Sequence, residues 1–424
     1  MKAGFATTDI TPREPVWLVG YGSRDHKSEG IYAPLEAGAV ALSDGKRSIV
    51  LLTADIIGYS LGFASEAKAR IAEATGLLPG DVILTATHTH CAPYFYEWAM
   101  VGEVEMEWAG YFMGRLVEVA CKALAGIKSA RIEFSRGRSE FGVSRRLPDG
   151  EGGILFKPNH DGPMDRDLDT LWFNGEGDEI LGSLTVYGCH TTCRGGFEIG
   201  PDYPGFFRQA LSESSGAPAF FSTGCAGNIR PNFYSDDGGF RQAEVPEIAE
   251  AGKQMATDAW ASRKDGQHVE NVCIELVSDF HSLPYTELPN EQALEAAVES
   301  ERVFDRLWGK HFLALAQQGR LPETCPQEIQ ILKIGEDLRM IFLGGEVLTE
   351  IGIHLKEAFA PATTVTVAYS NGLIAYVPGK ETYDLGGYEV NGSHTYFLRP
   401  APFVKEVEDL IVAKTLAMAG RGPD

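Results

Sequence analysis

The strongest constraint on the fold is the alternation of short apolar runs with longer segments of helical periodicity. Turn residues bound each apolar run, which is typical of buried β-strands. The runs that predict strands are Ala37–Leu42, Ser48–Asp55, Asp81–Thr87, Ile180–Tyr187, Pro218–Ser222, Ile329–Ile334, Leu338–Phe342 and Val365–Ala368. The segments that predict helices are Phe63–Thr75, Val104–Ile127, Val245–Arg263, Pro289–Gln318, Leu348–Phe359 and Val404–Ala419. Because their order is not a regular βαβ series, we expect an α/β protein in which helices flank mixed β-sheets in layers.

The length of the chain limits the number of domains, and its net charge limits the partners that it can bind. For 424 residues we expect a single large catalytic domain over 1–424, with two lobes at 1–265 and 266–424 as the alternative. The 37 Lys and Arg against 59 Asp and Glu give a net charge of −22. Such an acidic chain is not expected to bind nucleic acid or an anionic membrane surface unaided. The expected partner is a small-molecule substrate, and a homo-oligomer is left open.

The sequence also predicts a cytoplasmic location. There is no apolar stretch of about 18 residues, so no membrane span is expected. The N-terminus lacks an apolar segment after Lys2, so no secretory signal peptide is expected. The seven cysteines are an odd number and include no CxxC pair, which argues against a disulfide framework and against a zinc ribbon.

Two of the predicted strands run directly into histidines. The strand Asp81–Thr87 is followed by the sequence HTHCAP, which contains His88 and His90. The strand Ile180–Tyr187 is followed by GCHTTC, which contains His190. A single histidine at a strand end is more often a hydrogen-bonded structural residue, but a His-x-His pair favours a metal site because neutral imidazole binds zinc well. We interpret the neighbouring cysteines as small buried residues.

Three further segments have the composition of functional loops. Gly142–Pro148 places Arg145 and Arg146 in a predicted turn, where solvated surface charge is the simpler interpretation. Ser222–Asn232 is rich in small residues and could offer backbone N–H groups to an anion, or could be a tight loop without a ligand. Glu346 follows the strand Leu338–Phe342 and opens a helix, so it could be a carboxylate ligand or could simply favour the helix dipole.

Taken in order, these motifs resemble the catalytic domain of the neutral/alkaline, non-lysosomal ceramidase family over roughly residues 1–400. The opening DITP and GYG resemble the start of that family, THTH resembles its THTHSGP motif, and CHTT resembles its HxTS motif. GNIRPN resembles GDVSPN, Gly345-Glu346 resembles PGEF, and VSR at 143–145 resembles its NxNR turn. The late tyrosines of the family are matched by the segments AYV and YE, which contain Tyr376 and Tyr388.

The resemblance implies a zinc amidase that cleaves an N-acyl bond by metal-activated water, on a ceramidase-catalytic-domain-like fold that lacks the family's C-terminal immunoglobulin-like domain. It implies one Zn²⁺ per chain, or another divalent metal, held by His88, His190, Glu346 and Tyr376. The catalytic residues that it implies are His90 as general acid/base, with Tyr388 and Arg145 at the reacting group.

The sequence departs from the family where Arg230 replaces the serine of GDVSPN and where Cys193 and Arg194 follow the CHTT histidine motif. Guanidinium groups suit a small polar or anionic substrate better than a long acyl chain. We therefore expect Arg146, Arg194, Arg230 and Asn228 to bind substrate, and we expect ceramide not to be the substrate.

Several alternatives remain open at this stage. The same metal centre could serve a hydrolase, lyase or isomerase that acts on a lactone, an ester or a carbohydrate-derived substrate. The protein could be a true ceramidase, or a non-catalytic binding protein that contains a metal. A cysteine hydrolase that uses Cys91 beside His90 is the weakest alternative, because adjacent side chains at a strand end point apart.

Overall fold

The computed structural model describes residues 1–177 and 179–421. The strands are β1 Lys2–Asp9, β2 Gly30–Ile31, β3 Glu36–Ser43, β4 Ser48–Ala54, β5 Val82–Ala86, β6 Lys128–Ser129, β7 Arg131–Arg138, β8 Gly142–Pro148, β9 Ile154–Asn159, β10 Asp167–Asn174, β11 Ile180–Tyr187, β12 Glu198–Ile199, β13 Ala219–Thr223, β14 Ile229–Pro231, β15 Gln267–His268, β16 Ile274–Pro284, β17 Thr324–Ile334, β18 Leu338–Leu343, β19 Glu346–Val347, β20 Thr363–Val367 and β21 Tyr376–Val377. The α-helices are α1 Leu61–Thr75, α2 Met106–Ala125, α3 Asp202–Ser215, α4 Val245–Ser262, α5 Glu291–Val298, α6 Val303–Ala316, α7 Thr349–Ala358, α8 Lys380–Tyr383 and α9 Val407–Met418.

Three larger sheets organise the molecule, and each of them is mixed. The first has the order β5-β4-β3-β1-β6, the second β13-β11-β10-β7-β15, and the third β16-β17-β18-β20. Each combines antiparallel pairs with one parallel pair: β4 with β5, β11 with β13, and β18 with β20. The predicted α/β class with mixed sheets is therefore confirmed.

One face of each large sheet is buried in a shared apolar core. Phe5 of β1 contacts Phe173 of β10 and Phe220 of β13, with ring centroids 5.2 and 5.9 Å apart. Phe342 of the third sheet belongs to the same buried cluster. The ring of Phe220 packs directly against Gly38 of β3. A Cβ atom at position 38 would lie 2.5 Å from a carbon of this ring, so a larger residue would not fit. The three sheets therefore pack face to face in the centre of the molecule.

Helices cover the opposite face of each sheet. Strand β3 illustrates the two-sided burial: its alternating residues face a helix-covered cluster and the shared core in turn, as the period of two in a strand requires. Helices α1 and α2 pack on the first sheet, α3 and α4 on the second, and α7 and α9 on the third. The layers that the sequence predicts are present, and the division of the chain at residue 265 stays a prediction.

Two predicted elements are wrong. The predicted helix Pro289–Gln318 is two helices, α5 and α6, which fold back on each other around Leu294, Trp308 and Phe312. The predicted turn at Gly142–Pro148 is the strand β8, paired with both β14 and β9. In the described part of the chain, no helix is both long and apolar enough to cross a membrane.

Replacing Phe220 with Ala should lower the free energy of unfolding by about 3–5 kcal/mol, because the change opens a cavity where the first two sheets meet. Urea unfolding followed by circular dichroism would measure the loss. The matched control is Phe280→Ala, since that side chain is 58% exposed and its removal should change stability by less than about 0.5 kcal/mol. Similar losses for both variants would contradict a core shared by the sheets.

Candidate metal centre

Polar side chains from four chain segments meet at one buried point. The Nε2 atoms of His88 and His190 lie 3.2 and 2.9 Å from Oε2 of Glu346. Nε2 of His190 is also 3.2 Å from the hydroxyl of Tyr376, and Nε2 of His90 is 3.2 Å from Nε2 of His88. The structure thus brings together all four residues proposed as metal ligands, with the proposed acid/base His90 beside them.

The ends of two sheets create this convergence. His88 and His90 follow β5 in the first sheet, and His190 follows β11 in the second. Glu346 and Tyr376 are paired partners in the short parallel ladder of β19 and β21. Loops at strand ends are the usual place for such sites, because a rigid scaffold positions them while leaving their side chains free.

Threonine hydroxyls hold the two histidine loops together. The hydroxyls of Thr191 and Thr223 both donate to the carbonyl of Thr87, at 3.0 and 2.9 Å. The hydroxyl of Thr89 donates to the carbonyl of Gly200 at 2.8 Å. These bonds satisfy buried backbone groups that lie outside any strand, which explains the small hydroxylic residues around each histidine.

Two glycines give the centre its close packing. A Cβ on Gly20 would lie 2.5 Å from Nδ1 of His90, and one on Gly345 would lie 2.9 Å from the carbonyl of Ala375. Both glycines have positive φ angles, 103° and 100°, which other residues rarely adopt. His88 itself has φ 66°, a strained value of the kind found at functional sites.

Each histidine donates its Nδ1 hydrogen to a backbone carbonyl. Nδ1 of His88 lies 2.6 Å from the carbonyl of Ile57, and Nδ1 of His190 lies 2.6 Å from that of Ala226. Nδ1 of His90 lies 3.1 Å from the carbonyl of Gly20. A carbonyl can only accept, so this network assigns the hydrogen to Nδ1. In its neutral form each ring therefore directs its Nε2 lone pair into the centre.

The pKa values keep the centre rich in acceptors. Burial lowers the pKa of His90 well below its usual range, and burial followed by the charge of Arg145 lowers the pKa of His190 to about 4. Burial alone raises the pKa of Glu346, and positive charge on the neighbouring imidazoles is what lowers it well below its usual value. With His90 and His190 neutral at neutral pH, a bound cation would supply that positive charge instead.

This arrangement fits a divalent cation. Glu346 Oε2 is buried without a hydrogen-bond donor among the described residues, and Nε2 of the neutral His190 offers it a lone pair instead of a hydrogen. The ligand atoms of His88, His90 and His190 all lie within 4.8 Å of one another. Buried acceptors without donors are costly unless a cation binds them, and the Nδ1–H bonds to carbonyls are the usual support for metal-bound imidazole.

The paired arginines lie beside the centre and are not solvated. Nε of Arg145 donates to Glu389 Oε1 at 2.7 Å, and Nη1 of Arg146 pairs with Glu389 Oε2. Both residues can reach one carboxylate because the register of β8 with β9 shifts between Ser144 and Arg146, and such irregularities re-aim side chains. Nη2 of Arg145 is buried without a hydrogen-bond partner among the described residues, and the guanidinium carbon lies 5.3 Å from the ring centroid of Tyr376.

The residues predicted to bind substrate fall into two groups. Arg230 lies near the centre with a largely uncommitted guanidinium, whose only side-chain hydrogen bond to a described residue is 3.4 Å long, to the carbonyl of Thr192. Asn228 is engaged at both ends, by the carboxylate of Glu350 and the N–H of Thr349, at 2.9 and 3.0 Å.

Arg194 and Arg146 belong to the second, engaged group. The Arg194 guanidinium pairs with Glu198 and Glu244, and that of Arg146 is held by Glu389 and by the carbonyl of Gly386 at 2.6 Å. These partners occupy the guanidinium donors of Arg146 and Arg194, so both residues have less to offer a substrate than the sequence suggested.

Three functional neighbours of the centre were not predicted. Arg24 is buried and donates to the carbonyls of Val19 and His90 at 2.6 and 2.7 Å, which fixes the loop that carries His90. The ring of Tyr369 lies 4.1 Å from that of His88, and the ring of Tyr21 lies 5.1 Å from that of His90. The GYG segment was the one signal in the sequence that could have indicated Tyr21.

No protein-family profile matches the chain, and no curated protein matches it. Among solved structures, the neutral ceramidase from Pseudomonas aeruginosa aligns with all of this chain and with 75% of its own chain, at a TM-score of 0.75 and 22% identity. A ceramidase complexed with C2 aligns with all of this chain and 76% of its own, at 0.75 and 20% identity. The chain therefore has the ceramidase catalytic-domain-like fold that the motifs predicted.

Protein purified without chelators should contain about one equivalent of a divalent metal per chain. His88→Ala should lose it, because that change removes a central Nε2 atom. Elemental analysis by plasma mass spectrometry measures the content. His354→Ala is the matched control, since His354 pairs with Glu408 at the surface, and it should retain the metal. Less than about half an equivalent in the wild type would contradict a metal centre.

Proposed function

We propose that this protein is a zinc-dependent hydrolase that cleaves an amide (N-acyl) bond in a small polar or anionic substrate. The observation that carries the proposal is the buried group of His88 and His190 Nε2 atoms and the Tyr376 hydroxyl around Glu346, whose Oε2 has no hydrogen-bond donor among the described residues. A ceramidase-like fold around that group favours the same reaction class. We also propose a cytoplasmic location, because the odd number of cysteines, seven, argues against a disulfide framework.

His88, His190, Glu346 and Tyr376 would hold the ion. A zinc ion bound there would supply Lewis acidity and make a water nucleophilic at neutral pH. Tyr376 is the unusual member of the set, because burial raises its pKa well above the ordinary phenol value. Its hydroxyl therefore keeps its hydrogen until a cation favours the phenolate.

His90 is the best candidate to move the proton. Its side chain is turned to the same point as the ligands, but His90 is 9% exposed, whereas His88 and His190 are 0% and 1% exposed. The carbonyl of Gly20 fixes the ring, so Nε2 is the atom that can take a proton from water and return it to the leaving amine.

Arg145 and Tyr388 would stabilise the developing negative charge on the substrate oxygen. Glu389 holds Arg145 in place beside Tyr376, and its buried Nη2 has no hydrogen-bond partner among the described residues. Tyr388 is 41% exposed and its ring lies 5.4 Å from that of Tyr376, so the residue borders both the solvent and the centre. A donor aimed at a developing oxyanion is worth about 3 kcal/mol.

Tyr388→Phe should lower kcat on a hydrolysed N-acyl compound by about 10²- to 10³-fold and should leave the metal content unchanged, because the phenyl ring remains. His90→Gln should abolish turnover while the metal is retained. Both results are measured as the rate of hydrolysis of a panel of N-acyl amines and N-acyl amino acids, and the metal content of each variant is determined in parallel.

The contradicting outcomes separate the alternatives. Metal loss in His90→Gln would make His90 a ligand instead of the proton carrier. Turnover of ceramide in preference to small polar amides would restore a true ceramidase. No hydrolysis of any N-acyl compound by the metal-loaded protein would contradict the amidase proposal.

A further inference from the structure

We propose that Arg230 binds a carboxylate of the substrate, so that the cleaved amide belongs to an N-acyl compound with a free carboxylate, such as an N-acyl amino acid. The inference rests on the proposed hydrolase function and specifies its substrate. Nothing in the motifs that hold the metal requires a cation at this position.

Arg230 is a cation without a counter-ion at the centre. Within the described chain its guanidinium has no carboxylate partner, and its one hydrogen bond, to the carbonyl of Thr192, is 3.4 Å long. Arg145, Arg146 and Arg194 each have a glutamate partner. Burial lowers the pKa of Arg230, yet a guanidinium stays charged at neutral pH. A half-buried charge with unused donors is costly unless a ligand satisfies it.

Two aromatic rings position this guanidinium. Its central carbon lies 5.5 Å from the ring centroid of Phe156 on β9 and 5.1 Å from that of Phe240, which precedes α4. The two rings contact each other at 5.6 Å. Rings that stack on a guanidinium leave its N–H groups to donate in its own plane, which is the geometry that a planar carboxylate accepts.

The position of Arg230 relates the carboxylate to the scissile bond. The carbonyl of Ile229, the preceding residue, accepts from the N–H of His190 at 3.1 Å, so the chain passes directly beside a metal ligand. Phe156 lies under both arginines, with Arg145 at 5.4 Å and Arg230 at 5.5 Å. Arg145 is the inner cation, next to Tyr376, and Arg230 is the outer one.

Both guanidiniums contact the same ring, Phe156, so the donor for the reacting carbonyl and the donor for the second group belong to one small region of the site. A substrate that carries its anionic group close to the amide would engage both. In an N-acyl amino acid the carboxylate lies two bonds from the amide nitrogen, and its negative charge would offset the repulsion between the two cations.

A matched pair of substrates tests the proposal. One is an N-acyl amino acid with a free carboxylate, and the other is its carboxamide with the same acyl group. Wild-type protein should prefer the carboxylate in kcat/KM by about 10- to 100-fold. Arg230→Gln should lose that preference while retaining its metal. Arg241→Gln should keep the preference, because Arg241 is exposed and pairs with Glu247 at 2.6 Å.

Binding gives a readout that does not depend on turnover. Calorimetry would use a ketomethylene analogue of the substrate, in which CH₂ replaces the amide N–H so that it cannot be hydrolysed. Three forms of this analogue would be compared: one with a free carboxylate, one with a carboxamide and one with a sulfonate in its place. The carboxylate should bind about 10- to 100-fold more tightly than the carboxamide, and Arg230→Gln should remove the difference. Tighter binding of the sulfonate would assign the subsite to a different anion and overturn the carboxylate proposal.

The two proposals fail in distinguishable ways. If carboxylate and carboxamide are hydrolysed equally well, or if Arg230→Gln keeps the wild-type preference, the carboxylate subsite is wrong and the hydrolase stands. If neither compound is hydrolysed but the analogue binds through Arg230, the hydrolase proposal is wrong and the subsite stands.

Discussion

The hydrogen bonds from three imidazole Nδ1 atoms to backbone carbonyls decide what the centre of this protein can do. These carbonyls belong to Ile57, Ala226 and Gly20. Each of them lies in a loop that is more than 30 residues along the chain from the histidine that it binds. Because each carbonyl can only accept, every ring is fixed in one tautomer and one orientation. The inward Nε2 atoms and Glu346 then form a cluster that a cation would stabilise, because Glu346 Oε2 has no hydrogen-bond donor among the described residues.

Around this cluster, buried charge is used in two different ways. Glu389 pairs with both Arg145 and Arg146, so this triad keeps one positive charge beside Tyr376, with Nη2 of Arg145 unpartnered among the described residues. Among the described residues Arg230 has no such partner, and aromatic rings hold it instead. The first arrangement provides a fixed component of the centre, and the second leaves a charge to be satisfied from outside, which links the geometry to substrate choice.

The sequence predicts the parts of this molecule whose neighbours along the chain determine them. Apolar runs identify β3, β4, β5 and β11 because these strands are buried on both faces, and the class of the fold follows from their order. The sequence predicts a turn where β8 lies, because paired arginines are usually solvated. The carboxylate that pairs with Arg146 is 243 residues away along the chain, so the sequence does not reveal this ion pair. The break between α5 and α6 was missed for a similar reason, since the helices are set by packing against each other.

The candidate site shows the same division. The histidines, Glu346 and Tyr376 could be named from short motifs, and the structure brings them within contact. The engagement of Arg194 and Asn228 by glutamates could not be foreseen, because pairs such as Arg194 with Glu244 and Asn228 with Glu350 depend on how distant elements pack. Arg24 carries no motif at all, and only its bonds to backbone carbonyls reveal that it fixes the His90 loop.

X-ray absorption spectroscopy of the purified protein tests the central claim most directly, because it reports the identity of a bound metal and its ligand atoms together. The account predicts a zinc edge, nitrogen and oxygen ligands at about 2.0–2.2 Å, and the multiple scattering of imidazole. A first shell of thiolate sulfur at about 2.3 Å, or a protein with no metal edge after purification without chelators, would contradict it.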